Sequence, residues 1–200
     1  MKFLLMLALF SSCSLFQTNK LSSKLDKSLD SICLSSRGKG RLQVGQSKYV
    51  FSYESALDQE HANWLLALNF PLRPQETFKI DWSENGKTQL ETSLEDKILK
   101  ENKGVDPNSV EKFTQGLGTL IQEIIHIRSQ SDDLKERQFT WKKKRNELLT
   151  INKQKNLKAS FRKLGPDGYF TLMELSYLEP KKSFYKLELV VRKCFEKSAQ

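Results

Sequence analysis

The stretch from Trp64 to Trp82, WLLALNFPLRPQETFKIDW, leaves a chain few ways to fold. Trp64, Leu66, Leu68 and Phe70 alternate with Leu65, Ala67 and Asn69, and Phe78, Ile80 and Trp82 alternate with Thr77, Lys79 and Asp81. Alternation at a period of two, in runs rich in aromatic and branched residues, reads as two β-strands. Pro71-Leu72-Arg73-Pro74 lies between them. Proline has no N–H to donate to a ladder, so the chain must leave the sheet here. The expected product is a hairpin whose stiff loop holds Leu72 between two prolines.

Elements of both periods flank this hairpin. Leu21, Leu25, Leu29 and Ile32 recur at helical spacing among Lys24, Asp26, Lys27 and Asp30, which predicts an amphipathic helix. Ser35-Ser36-Arg37-Gly38 reads as its end, with Gly38 as the stop. Strands are then expected at Arg41–Val44 and Tyr49–Tyr53, followed by a polar loop over 54–62. After the hairpin, Asn85-Gly86 is the strongest short turn signal and should return the chain into a strand at Thr88–Thr92.

From Asp106 the pattern becomes helical. Asp106 is a good N-cap and Pro107 suits the first helical position. Val110, Phe113, Leu117, Leu120, Ile121, Ile124 and Ile125 form a wide apolar stripe reaching about Ser129. Gly116 and Gly118 interrupt it, each weakening the helix by up to ~1 kcal/mol relative to alanine, and they permit close packing against a sheet. Strand patterns resume at Gln138. Their inward residues are read as Phe139 and Trp141, Leu149 and Ile151, Leu157, Ala159 and Phe161, then the run 169–178, then Tyr185, Leu187, Leu189 and Val191. Helix, strands, helix, strands predicts an α+β domain.

The N-terminus points to export. Met1-Lys2 is a minimal basic segment, Phe3–Phe10 is apolar, and Ser11-Ser12 precede Cys13. This is a secretory signal, too short to remain as a membrane span. It resembles a bacterial lipoprotein signal, which implies a lipid on Cys13; the alternative is an ordinary signal cut near Ser12. Ser14 follows Cys13, and the lack of an aspartate there favours the outer membrane. The net charge is +9. Loss of Lys2 leaves one positive charge fewer, and export makes anionic headgroups or surface polysaccharides, and not nucleic acid, the expected counter-charge. No internal run approaches the roughly 20 apolar residues of a spanning helix.

Cys33 and Cys194 remain after processing. They either bridge the first helix to the last strand in an oxidising compartment, or stand as two separate buried thiols. Neither has metal-ligand spacing. His61 and His126 lack a nucleophile pattern, and no phosphate loop, dinucleotide fingerprint or zinc-protease motif occurs. Nothing supports an enzyme, a catalytic residue, a metal or a cofactor beyond the covalent lipid. The run Lys142-Lys143-Lys144-Arg145 reads first as a solvated strand face, and second as attraction to a headgroup surface.

The order of elements, with Gly40-Arg41-Leu42 in the first strand and Asn69-Phe70-Pro71-Leu72 in the hairpin loop, resembles the LolA/LolB half-barrel superfamily, and its outer-membrane lipoprotein receptors in particular. The resemblance is strongest between Gly40 and Gly86 and rests on element order beyond residue 100. It implies a curved antiparallel sheet forming an incomplete, half-open β-barrel, covered by an N-terminal helix and a central lid-like helix. It implies residues 1–12 as signal peptide, 13–20 as a lipid-anchored tether, and 21–197 as one domain. It implies an outer-membrane monomer facing the periplasm. That monomer takes passenger lipoproteins from a LolA-like carrier, holds their acyl chains in an apolar cavity, and inserts them into the membrane. Leu72, with Pro71 and Pro74, corresponds to the protruding insertion loop. Trp64, Leu66, Leu68, Phe78, Ile80, Trp82, Phe113, Leu117 and Ile121 are the expected cavity walls, or else a plain dry core. The alternative function is an envelope lipoprotein of the same fold that binds lipid or scaffolds without sorting cargo.

Overall fold

The structure, a computed structural model, describes residues 28–58, 63–72, 74–82, 88–93, 100, 106–129, 138–153, 156–178 and 184–196. Five strands precede the long helix: β1 Ser36–Val44, β2 Ser47–Asp58, β3 Asn63–Asn69, β4 Glu76–Trp82 and β5 Thr88–Thr92. The helix, α1, spans Pro107–Arg128. Five more follow: β6 Thr140–Lys144, β7 Glu147–Asn152, β8 Leu157–Leu164, β9 Phe170–Leu178 and β10 Phe184–Cys194. Together they make one open antiparallel sheet in the order β5-β4-β3-β2-β1-β10-β9-β8-β7-β6.

That order is two meanders sewn together down the middle. The first and last strands pair over their whole length, from Ser36 opposite Cys194 to Val44 opposite Tyr185. The free edges are β5 and β6, the two strands that α1 connects. The helix therefore bridges the open side of the sheet. Its neighbours reveal the curvature. Gly116 lies against Leu157 of β8, and a Cβ at Gly118 would sit 3.8 Å from Cδ1 of Ile80 on β4. Six strand steps separate β4 from β8, about 29 Å in a flat sheet at the usual strand spacing. A helix is only about 10–12 Å across. The sheet must wrap around α1 to reach it from both sides.

Local chemistry explains the helix ends. Asp106 Oδ1 accepts from the Asn108 N–H at 3.2 Å and Oδ2 from the Ser109 hydroxyl at 2.8 Å, with Pro107 at the first position. At the other end the Ser129 N–H donates to the Ile125 carbonyl at 2.9 Å. Val110, Phe113, Leu117, Leu120, Ile121 and Ile124 are buried, and Phe113 stacks on Tyr185 at 5.8 Å between ring centroids.

Three expectations need correction. Ser36-Arg37-Gly38 is not a helix end: it opens β1, and Gly38 occupies a register irregularity against β10. The segment 54–58 is not loop, because β2 continues to Asp58 on its pairing with β3. In β7 the inward face is inverted. The Arg145-Asn146 turn sets Lys144 opposite Glu147, so Leu148, Thr150 and Asn152 point inward and Ile151 points out, 43 % exposed. Leu148 and Thr150 pair with Phe161 and Ala159, whose side chains are also buried, as cross-strand partners share a face. Most of the expected N-terminal helix lies outside the described residues; of its described part, Ser28 and Leu29 are helical, and the Ile32 N–H closes on the Leu29 carbonyl at 3.0 Å.

A disulfide joins Cys33 to Cys194, with Cα atoms 5.9 Å apart and a sequence separation of 161. It lies at the end of the central β1–β10 pair. A loop of that size restricts the unfolded chain by about 5 kcal/mol in the chain-entropy model. Reduction, or Cys33→Ser with Cys194→Ser, should lower the unfolding free energy by about 2–5 kcal/mol in denaturant titrations; an unchanged midpoint would contradict a native bond. The two helix glycines should also separate. Gly118→Ala meets ordinary contact distance and should be neutral or stabilising by up to ~1 kcal/mol. Gly116→Ala collides with buried Leu157 and should destabilise by about 1–3 kcal/mol.

Candidate functional site

The β3–β4 loop is the outstanding surface feature. Leu72 has a φ of 58° and is fully exposed, at 106 % of its reference area. The left-handed region costs a residue with a Cβ roughly 1–2 kcal/mol, so the loop holds a bulky apolar side chain in water on a strained backbone. Pro71 and Pro74 flank it and are exposed as well. The base of the loop is fixed. Phe70 turns inward, 5.2 Å from the Phe51 ring and 6.4 Å from that of Tyr49. Gln75 Nε2 donates to Asn69 Oδ1 at 3.1 Å, tying the two sides of the loop together. The strand period that buries Phe70 would put Leu72 on the same inward face; the departure from the sheet at Pro71 and the left-handed backbone of Leu72 turn its side chain outward instead.

The expected wall residues come together in one place. Trp64, Leu66, Leu68, Phe78, Ile80, Phe113, Leu117 and Ile121 are all buried in a single core. Trp82 ends β4, and its side chain lies outside the described set. The void beside Trp64 and Ile121 has a volume of about 20 Å³. That is close to the smallest space able to hold one water, whereas small-molecule pockets run to about 300 Å³ or more. At these walls the interior is filled by side chains, with α1 occupying the space enclosed by the sheet. One wall of the void carries a polar trio: the Ser36 hydroxyl lies 3.1 Å from that of Ser55 and 3.3 Å from that of Tyr53. Burial pushes the Tyr53 phenol up to about 12, against a smaller lowering by its bond to Ser36.

Two carboxylates hold α1 in place, and sequence patterns passed over both. Glu123 is buried on the helix. Its Oε2 accepts from the backbone N–H groups of Gln138 and Phe139 at 2.9 and 3.2 Å, and its Oε1 from the Trp141 indole at 2.8 Å. Glu196 Oε1 accepts from the N–H groups of Leu34 and Ser35 at 2.6 and 2.8 Å, and its Oε2 pairs with Arg128 at 2.7 Å. Arg128 also donates to the Ile32 carbonyl at 3.2 Å. The one available signal was a glutamate three residues after Leu120 on the apolar side of the helix.

The outer face of the sheet is charged. Arg162 pairs with Glu174 and Glu147, and Lys186 with Glu174 and Glu188, forming a ladder across β7 to β10. The run Lys142-Lys143-Lys144 lies on the edge strand β6, exposed throughout, with Arg145 in the turn. Lysines on an edge strand hinder pairing with another sheet, which accounts for the run without a ligand. It also leaves the sheet at the end opposite the Leu72 loop, since the β6–β7 and β3–β4 turns fall at opposite ends of the antiparallel alternation. His126 is half-buried in the last turn of α1, and His61 lies outside the described residues. Among the described residues no cluster of histidine, cysteine and carboxylate groups could hold a metal, and no helix is long and apolar enough to cross a membrane. Cys13 also lies outside the described residues.

Glu123→Ala would strand three donors that it now satisfies. A loss on the order of 3 kcal/mol or more is expected, read as a lowered denaturation midpoint; a loss below ~1 kcal/mol would remove Glu123 from the helix anchor. The Tyr53 phenol sets an alkaline prediction. Its folded value is raised, so the stability it contributes is complete below about pH 10 and is lost as pH rises from 10 towards 12. Tyr53→Phe should flatten that part of the stability–pH curve. Compared with models of known protein families and with curated proteins, the sequence matches none.

Proposed function

We propose that this chain is a LolB-like envelope lipoprotein, anchored at Cys13, that accepts acylated proteins from a periplasmic carrier and places them in the outer membrane through Leu72. The observation that carries this reading is the exposure of Leu72 on a strained, braced turn. A soluble protein gains nothing by holding a leucine in water in the left-handed region. Beside a bilayer the same side chain gains roughly 0.8 kcal/mol for each CH₂ it buries, and the prolines limit the entropy lost on insertion. The open antiparallel sheet around α1 is consistent with a half-barrel. The disulfide suits an oxidising compartment. Work on cargo would be physical: acyl chains exchange one apolar environment for another, with no bond made or broken. Since α1 and the side chains facing it fill the space at the described walls, acceptance of an acyl chain there requires the helix to yield space.

The packing at these described walls favours a second reading. If α1 never yields, the protein is a lipid-anchored scaffold of the same fold, and the Leu72 loop only docks it on a membrane. Transfer of a purified acylated protein from carrier to vesicles separates the two. On the first reading the wild type delivers cargo and Leu72→Glu, with an unchanged unfolding midpoint, does not. Delivery by Leu72→Glu at the wild-type rate would overturn the role of Leu72. Failure of the wild type to retain any acylated cargo would leave the scaffold. Leu72→Asn tests the strain separately: asparagine tolerates the left-handed region, so stability should hold or rise while membrane contact is lost.

A further inference from the structure

We propose that the outer face of the sheet beside the Leu72 loop carries a binding groove for the phosphate-bearing headgroup of an anionic lipid, built by a β-bulge in β10. This deepens the membrane reading and rests on it. Opposite β1, Arg37 pairs with Lys193 and Gly38 with Val191, so Arg192 is an extra residue in β10. A strand normally sends consecutive side chains to opposite faces; a bulge re-aims one of them. Here Arg192 and Lys193 are both exposed and both line an open groove of about 540 Å³. Gly38 makes the bulge possible, because a Cβ there would run into the Val190 carbonyl oxygen. Arg37 completes a cationic trio. Its guanidinium carbon lies 5.8 Å, and the Lys193 ammonium 5.4 Å, from the centroid of the half-exposed Phe195 ring, which holds both cations at the groove.

Across β7 to β10 this face pairs cations with carboxylates in the Arg162–Glu174–Lys186–Glu188 ladder. Among the described residues none of Arg37, Arg192 and Lys193 belongs to an ion pair. Glu54, opposite Arg37 on β2, also lines the groove and leaves it with two net positive charges. The far wall is Asn69, whose amide braces the Leu72 loop. The groove therefore starts at the base of the loop that meets the bilayer. Its guanidinium groups offer the forked geometry that suits a phosphate, and its shallow, open form suits a headgroup presented by a surface.

The test is co-sedimentation of the full chain with vesicles of phosphatidylcholine, alone or mixed with phosphatidylglycerol. The wild type should bind the mixed vesicles about tenfold or more tightly, given roughly 1 kcal/mol for each basic residue near an anionic surface. Arg192→Gln with Lys193→Gln should lose most of that preference, with binding to phosphatidylcholine unchanged. Lys143→Gln with Lys144→Gln removes the same charge from β6 and should keep it. Equal losses in both variants would mean net charge alone and overturn the groove, as would a preference retained by the Arg192/Lys193 variant. Binding of soluble glycerol phosphate without any preference for the mixed vesicles would assign the groove to a free phosphate ester and overturn the lipid. Leu72→Glu should weaken binding to both vesicle types and keep their ratio. A ratio kept without weakening would defeat the Leu72 reading while leaving the groove standing.

Discussion

The pairing of the first strand with the last governs this molecule. β1 and β10 lie at the centre of the sheet, so neither meander can finish until the two ends of the domain have met. Loop closure over that distance is entropically expensive, and the same end of the pair carries everything that compensates. The Cys33–Cys194 bond spans it, and the Phe195 N–H donates to the Ser35 carbonyl at 2.8 Å. Glu196 gathers the N–H groups of Leu34 and Ser35 on one oxygen and Arg128 of the helix on the other. Tyr169 adds its hydroxyl to the Glu196 carbonyl at 3.0 Å. One short segment thus fastens the N-terminal turn, the last strand and the helix end at a single point.

With that seam closed, the helix has one place to go. It links the two free edges and lies where a closed barrel would need more strands. Its glycines let Leu157 and Ile80 approach from opposite sides, and Glu123 ties it to the start of the second meander. The rigid half of the protein is therefore the clasped end and its core. The Leu72 loop leaves from the other end of β3, braced by Phe70 and by Gln75 but otherwise free of the core. Stability is concentrated at the clasp, while the exposed, strained leucine stands on a loop that leaves the sheet past Asn69, across the groove from it, a division expected where a surface has to meet something else.

Much of the fold was legible because the strands alternate and the helix carries its own cap. The hairpin at Trp64–Trp82, the strand Thr88–Thr92 and the helix from Pro107 to Arg128 follow from period, proline and Asp106 alone. What was misread depends on long-range pairing. Leu149 and Ile151 look inward by hydrophobicity, but the two-residue turn and the pairing with β8 put Thr150 inside. Gly38 looks like a helix stop, but its use is set by β10, 150 residues away. The cationic trio could not be read in advance for the same reason: Arg37 meets Arg192 and Lys193 only across the central seam. Leu72 was legible as a residue held by prolines; its left-handed backbone and complete exposure give that reading its physical content.

The central claim is that Leu72 enters a bilayer. Tryptophan placed there by Leu72→Trp, with the wild-type signal subtracted, reports this directly through quenching by lipids brominated along their acyl chains. Insertion predicts strong quenching by bromines near the headgroup end of the chain and a blue-shifted emission. Emission unchanged by vesicles, with no quenching at any bromine depth, would contradict it.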